Sequence, residues 1–227
     1  MQVAGEEAAP IKLWDVPVRL IHWSLVLLLP ALWWSGETGK LDLHQKMGLI
    51  MLGLVVFRIL WGIFGSETAR FTSFIKGPGR VLSYLKTLFS GGSTPSVGHN
   101  PLGAISTILI LGLLGAQVGF GLFAQDVDGL ESGPLSYLVS YDGADTAREW
   151  HHLLFSLIQL VVLLHIIAIL FYTFVKRDRL VGPMITGRKQ FPAAVAQPAL
   201  VPAWRILACL IPAMGLTWWV SLGAPLP

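Results

Sequence analysis

EWHHLLFSLIQLVVLLHIIAILFYTFV, residues 149–175, decides the fold. From Leu153 to Val175 the stretch has no Asp, Glu, Lys or Arg. It is also long enough to cross a hydrocarbon core, which takes about 20 residues at about 1.5 Å each. Yet it carries His151, His152 and His165. Ionisable side chains are costly at membrane depth, and where they occur they tend to mark ion, proton or cofactor sites. The stretch therefore reads as a membrane helix with something polar to hold.

Four more apolar runs share that length: Val16–Ser35, Leu43–Phe64, Leu102–Ala124 and Ala203–Leu222. The first contains Pro30, where a kink is expected because proline lacks an amide hydrogen and crowds the preceding turn. Composition agrees. The chain of 227 residues is 54% hydrophobic and 13% charged, against about a quarter charged in soluble domains. Nine Trp and eleven Phe fit aromatic anchoring at membrane interfaces. A soluble core of this size would need a polar surface that the sequence does not supply. The fold class is all-α, a transmembrane four-helix bundle with a fifth C-terminal transmembrane helix, and membrane lipid is its surroundings.

Cys209 is the only cysteine, so there is no disulfide, thiolate metal site or C-x-x-C-H haem attachment motif. Met1–Pro10 is acidic and small, and no cleavable signal peptide is expected. Net charge is +3, but the basic residues fall in two loops rather than on one face, which argues against nucleic acid. The connection Gly65–Pro101 carries Arg70, Lys76, Arg80 and Lys86 against Glu67, and the segment after the fourth span carries Lys176, Arg177, Arg179, Arg188 and Lys189 against Asp178. Between spans three and four lie Asp126, Asp128, Glu131, Asp142 and Asp145, with Arg148 nearby. Positive loops stay inside. The expected location is thus the bacterial inner (plasma) membrane, multi-pass, with a cytoplasmic N-terminus. Gly79–Ser90 spaces Val81, Leu82, Leu85, Leu88 and Phe89 as a short surface helix. Gly91–Ser96 reads as a flexible break, and Gln190–Pro202 as a linker that separates the fifth span from the other four. The organisation is 1–15 cytoplasmic segment, 16–189 bundle, 190–227 linker and fifth helix, with no internal repeat.

With that topology the histidines sort by depth. His22 lies near the inner end of span one, His44 at the outer start of span two and His151 at the outer start of span four. His165 follows His151 by 14 residues, about 21 Å along a helix, and so returns to the inner level. At about 100° per residue, His151 and His165 differ in direction by about 40°, whereas His152 and His165 differ by about 140°. His151 is therefore the ligand candidate. The plainer reading of His152 is an interfacial residue or one at a cofactor edge. His44 with His151 and His22 with His165 give two axial imidazoles at each of two depths, as two stacked six-coordinate haems require. Each histidine alone would read as an interhelical hydrogen-bonding residue. His99 reads as structural or close to an inner haem propionate. Gly48 and Gly53 on span two, with Gly112, Gly115 and Gly119 on span three, allow close approach of a flat cofactor or simply of another helix. Arg19 and Arg58 sit where they pair with propionates or snorkel to the interface.

Val16–Trp23 (VPVRLIHW), Leu43–Gly48 (LHQKMG), Gly98–Gly103 (GHNPLG), Trp150-His151 with His165, and Met184–Lys189 (MITGRK) together resemble the bacterial cytochrome b561 family. Its relatives include the b-type cytochrome subunits of nickel-iron hydrogenases and formate dehydrogenases. The likeness runs from Leu13 to Lys189. It implies a four-helix di-haem bundle with two haem b groups held by His22/His165 and His44/His151, with Arg19 and Gly48 beside them. It also implies a quinone as membrane partner and no catalytic residues of its own. The expected function is electron transfer between a redox partner (c-type cytochrome, hydrogenase or dehydrogenase subunit) and the quinone pool, as one subunit of an oxidoreductase. The alternatives are a stand-alone superoxide-oxidising quinone reductase and a histidine-lined metal or proton transporter. No Asp or Glu lies deep in a span, which disfavours the transporter. The role of the fifth helix and the existence of a homo-oligomer are left open.

Overall fold

The computed structural model describes residues 10–88, 96–191 and 195–225. Its elements run β1 (Ile11–Lys12), α1 (Val16–Glu37), α2 (Leu41–Phe64), α3 (Phe71–Phe74), α4 (Pro78–Thr87), α5 (Pro101–Phe123), a 3-10 turn (Ser136–Leu138), α6 (Tyr141–Phe174), α7 (Val181–Thr186), β2 (Arg188–Lys189) and α8 (Trp204–Ser221). Five of these, α1, α2, α5, α6 and α8, are long and apolar enough to cross a membrane. The helix starts are chemically marked. Asp15 accepts from the Val18 amide at 2.8 Å, Asn100 from Gly103 at 2.7 Å and Ser140 from Gly143 at 3.2 Å. Each satisfies an amide that has no partner inside the helix. Helix α1 continues through Pro30 without interruption.

The largest departure from expectation is the start of α6. The apolar run suggests Glu149, but the helix begins at Tyr141 and is 34 residues long. That is about 51 Å, against a hydrocarbon core of about 30 Å. The Ser140 cap and Asp142 in the first turn favour initiation there, and Ala144 and Ala147 are buried. The first two turns therefore stand outside the apolar layer.

Helix α2 is central. On one side Met51 and Val55 pack with Leu111, Leu114 and Val118 of α5 and Ile158 of α6. On the other, Phe57 and Trp61 pack with Val18 and Ile21 of α1 and with Cys209 and Ala213 of α8. A Cβ on Gly53 would lie 3.1 Å from Thr217 Oγ1, so this glycine serves close contact with α8 rather than a cofactor. The fifth helix thus packs directly on the bundle through small residues, as membrane helices do where lipid is no less apolar than the protein.

One end of the bundle is closed by a two-stranded clasp, with Ile11 opposite Lys189 and Lys12 opposite Arg188. The Leu13 and Trp14 amides both donate to the Gly187 carbonyl, at 2.8 and 3.2 Å. Gly187 has φ +79°, and a Cβ there would sit 2.8 Å from the Trp14 oxygen. Asp15 also accepts from Trp61 Nε1 at 2.8 Å and from the Ser66 hydroxyl at 2.5 Å. The linker joins this end: Phe191 packs on Ile11 and Leu13, and the Ala199 amide donates to Glu67 at 2.8 Å. At the opposite end, Gln45 donates to the Ser132 carbonyl and the Tyr137 hydroxyl to Gly223. The basic connections share one end and the acidic loop lies at the other. Helix α4 forms where a surface helix is expected. It buries none of its residues. Phe89, Ser90 and 91–95 lie outside the described residues.

Candidate cofactor site

The outer level is built by α2 and α6. The His44 and His151 rings have centroids 6.0 Å apart and planes at 74°. Two metal–nitrogen bonds of about 2 Å each, plus the depth of two imidazoles, come to about 6 Å. The spacing matches a single metal atom gripped from both sides. Each ring is also oriented. His44 Nδ1–H donates to the Leu32 carbonyl at 2.9 Å, and His151 Nδ1–H donates to the Gln117 carbonyl at 2.9 Å. A carbonyl can only accept, so Nδ1 carries the proton and Nε2 keeps its lone pair, the tautomer a metal needs.

The same local device frees both carbonyls. Four residues beyond Leu32 stands Gly36, whose absent Cβ would lie 3.3 Å from His44 Nδ1, and four beyond Gln117 stands Gly121, whose Cβ would lie 2.9 Å from His151 Cε1. In each case a glycine opens the helix surface beside the acceptor so that an imidazole from another helix reaches it.

Both rings line a cavity of about 480 Å³, together with Gly36, Gly48 and Gly121, a usual size for a cofactor pocket. Gln117 Oε1 and Asp126 Oδ1, on residues lining it, are buried without a partner. Gly48 faces this space, with no atom within 4 Å of a Cβ placed there. On α5, Gly121 lines this cavity, Gly115 meets Val55 at 3.8 Å, and Gly112 and Gly119 have nothing within 4 Å of a Cβ. His152 is exposed and stands on the cavity rim, its ring 6.4 Å from that of His151.

At the inner level stand His22 of α1 and His165 of α6. His165 Nδ1 meets Ser106 Oγ at 3.1 Å, and His22 Nδ1 is buried with no partner. Arg19 Nη1 donates to the Ile185 carbonyl at 2.5 Å, and Trp23 Nε1 donates to that of Met184 at 3.2 Å. These bonds fasten the Met184–Lys189 stretch to α1. Arg58 does not snorkel. It is buried, 3.4 Å from the Ala69 carbonyl and 5.3 Å from the Phe71 ring centroid. His99 is held between Trp14 at 4.7 Å and Phe74 at 4.3 Å. Burial, with the charges of Arg58 and His165 nearby, pushes its pKa down to about 3, so it stays neutral.

Arg19 Nε, His22 Nδ1 and Arg70 Nε are all buried without a hydrogen-bond partner, and all belong to this end. Buried polar groups are rarely left unpaired, and this set fits a bound group that carries acids, such as porphyrin propionates. The donor chemistry at both levels suits haem. Sequence reading did not find Gly36, Gly121, Ser106 or the two acceptor carbonyls; only the glycines carry a sequence signal, four residues after a position facing a histidine.

Residues 13–187 match the family described as prokaryotic cytochrome b561. Two relatives, from Bradyrhizobium diazoefficiens and Cupriavidus necator, are each named "Probable Ni/Fe-hydrogenase B-type cytochrome subunit". They are 25% and 24% identical to this chain, over 83% of it and 90% of their own lengths. No solved structure matches it significantly. With three-quarters of its length inside that match and five membrane-length helices around its histidines, the chain belongs to the prokaryotic cytochrome b561 family and is a membrane b-type cytochrome, a class that holds haem b.

Proposed function

We propose that this chain holds two haems b, one at each histidine level, and carries electrons between a redox partner and the quinone pool. The observation that carries the reading is the His44–His151 pair, 6.0 Å apart with both Nδ1 atoms tied to backbone carbonyls. When bound, haem supplies a one-electron ferric/ferrous couple whose potential depends on axial ligation and burial.

The residues of the chain do the rest. His44 and His151 hold the outer group and His22 and His165 the inner, with the two levels about 21 Å apart along α6. Because Leu32 and Gln117 fix the outer imidazoles, the ligands keep their positions through a change of charge. Met51, Val55, Leu114, Val118 and Ile158 form the apolar packing that excludes water between the helices. The names of the two relatives favour a nickel-iron hydrogenase as partner over a c-type cytochrome. We place the chain in the bacterial inner membrane with the clasped, basic end in the cytoplasm, as its loop charges direct. The acidic loop then faces outward.

The test is haem content. The purified chain is expected to show reduced-minus-oxidised haem b bands and a haem-to-protein ratio near two. His22→Ala and His44→Ala each bring that ratio near one. A colourless protein ends the reading, and a ratio unmoved by either substitution assigns the ligands elsewhere.

A further inference from the structure

At the clasped end lies a second cavity of about 500 Å³ between α3, α4 and the start of α5, whose lining includes none of the four paired histidines. Its charged lining is Lys76, Arg80 and Glu67, and Ser73 and Ser83 add hydroxyls. Lys76 spends one donor on the Ser73 carbonyl, at 2.7 Å, and meets no carboxylate among the described residues. The Arg80 guanidinium has no hydrogen-bond or ion-pair partner among the described residues. Glu67 is already engaged, accepting from the Ala199 amide. The floor includes His99, a neutral imidazole wedged between two aromatic rings, with its Nδ1 buried and unpartnered. Two cations, free hydroxyls and an unsatisfied buried imidazole around one cavity describe a receptor for an anion with several acceptor oxygens.

The surroundings indicate the source. Helix α4 exposes Leu82 and Leu85, and both follow Arg80 on a helix of only 10 residues. A short helix with basic residues and outward leucines lies in the plane of the headgroups, its apolar side chains among the acyl chains. The cavity mouth then opens at phosphate depth. We propose that this cavity binds the headgroup of an anionic phospholipid, with Lys76 and Arg80 as charge partners for its phosphate and Ser73 and Ser83 as hydroxyl donors. The chain would thereby carry a structural lipid at its basic end, independent of its haem content.

Native mass spectrometry of the full chain in detergent tests this, with dioctanoyl phosphatidylglycerol, dioctanoyl phosphatidylcholine and inorganic phosphate as probes. Phosphatidylglycerol is expected to bind at least about tenfold tighter than phosphatidylcholine, and K76Q/R80Q to weaken it by about tenfold or more. K40Q/K46Q, at the opposite end, leaves it unchanged. S73A/S83A keeps the charge and still weakens binding several-fold, which diffuse attraction to a basic surface would not. Equal binding of the two lipids, or full affinity in K76Q/R80Q, overturns the proposal. Competition by inorganic phosphate at the same concentrations as the lipid overturns it in favour of a free phosphate compound. All substituted residues are exposed or half-buried, and unchanged helical content by circular dichroism certifies the variants.

Discussion

Replacing Gly121 with alanine places a methyl 2.9 Å from His151 Cε1 and 3.0 Å from its Nδ1. Ordinary contact begins near 3.4 Å, so the imidazole must withdraw by about 0.5 Å. Metal sites tolerate about 0.2 Å in ligand position. The same displacement stretches the 2.9 Å bond to Gln117 toward the limit for a hydrogen bond. Overpacking at such a site costs about 1–3 kcal/mol and a weakened hydrogen bond about 1 kcal/mol. Against this, exchanging glycine for alanine in a helix contributes about 1 kcal/mol. The local loss is therefore about 1–3 kcal/mol, concentrated on one ligand. Haem content of G121A is expected to fall from near two toward near one. Gly119→Ala, on the same helix with nothing within 4 Å, stays near two. The reasoning fails if G121A keeps both haems with an unshifted spectrum.

Three further outcomes are expected. Asp15→Ala removes a helix cap worth about 1 kcal/mol and strands the buried Trp61 indole N–H at a further cost of about 1–3 kcal/mol. Its thermal unfolding in detergent should drop accordingly, with Asp15→Asn recovering part. Gly187→Ala forces a side chain into the left-handed region at about 1–2 kcal/mol and against the Trp14 carbonyl; faster proteolytic cutting near Arg188 and Lys189 than in the parent checks it. The third concerns acid. His99 has its folded pKa pushed down to about 3 from an unfolded value of about 6.5. The unfolded chain therefore binds a proton first as pH falls, and stability is full above about 6.5 and declines toward 3. The slope reaches about 1.4 kcal/mol per pH unit. His99→Gln should flatten the decline between pH 6.5 and 4, and an unchanged slope would refute the assignment.

The spans were legible because charge is sparse in them, and the bundle's two ends because charge is so unevenly placed in the loops. The histidine levels were legible because depth and helical angle follow from counting residues along α6. The start of α6 was not, since Tyr141–Arg148 is polar; its signals are the Ser140 cap and Asp142, which a search for apolar runs passes over. The acceptors at Leu32 and Gln117 are backbone oxygens, which every residue has, so no letter marks them. Gly53 and Gly121 look alike in sequence, yet one faces α8 and the other His151. Only the packing of a neighbouring helix separates those roles. Arg58 sits at a span end like any snorkelling arginine, but residues 66–74 fold over it.

The clasp between residues 11–14 and 187–189 joins the beginning of the bundle to the last segment of it that is synthesised. His44 finds the Leu32 carbonyl within a single helical hairpin, as soon as α1 and α2 have entered the bilayer together. The opposite end is joined in two stages: Asp15 meets Trp61 and Ser66 once α2 has been made, whereas Arg19 and Trp23 wait for Ile185 and Met184, and Leu13 waits for Gly187. During biogenesis the clasp itself therefore closes only after Lys189 has been made. A chain stalled or truncated before that point would contain every histidine and still lack the clasp that holds residues 11–14 to the end of the bundle.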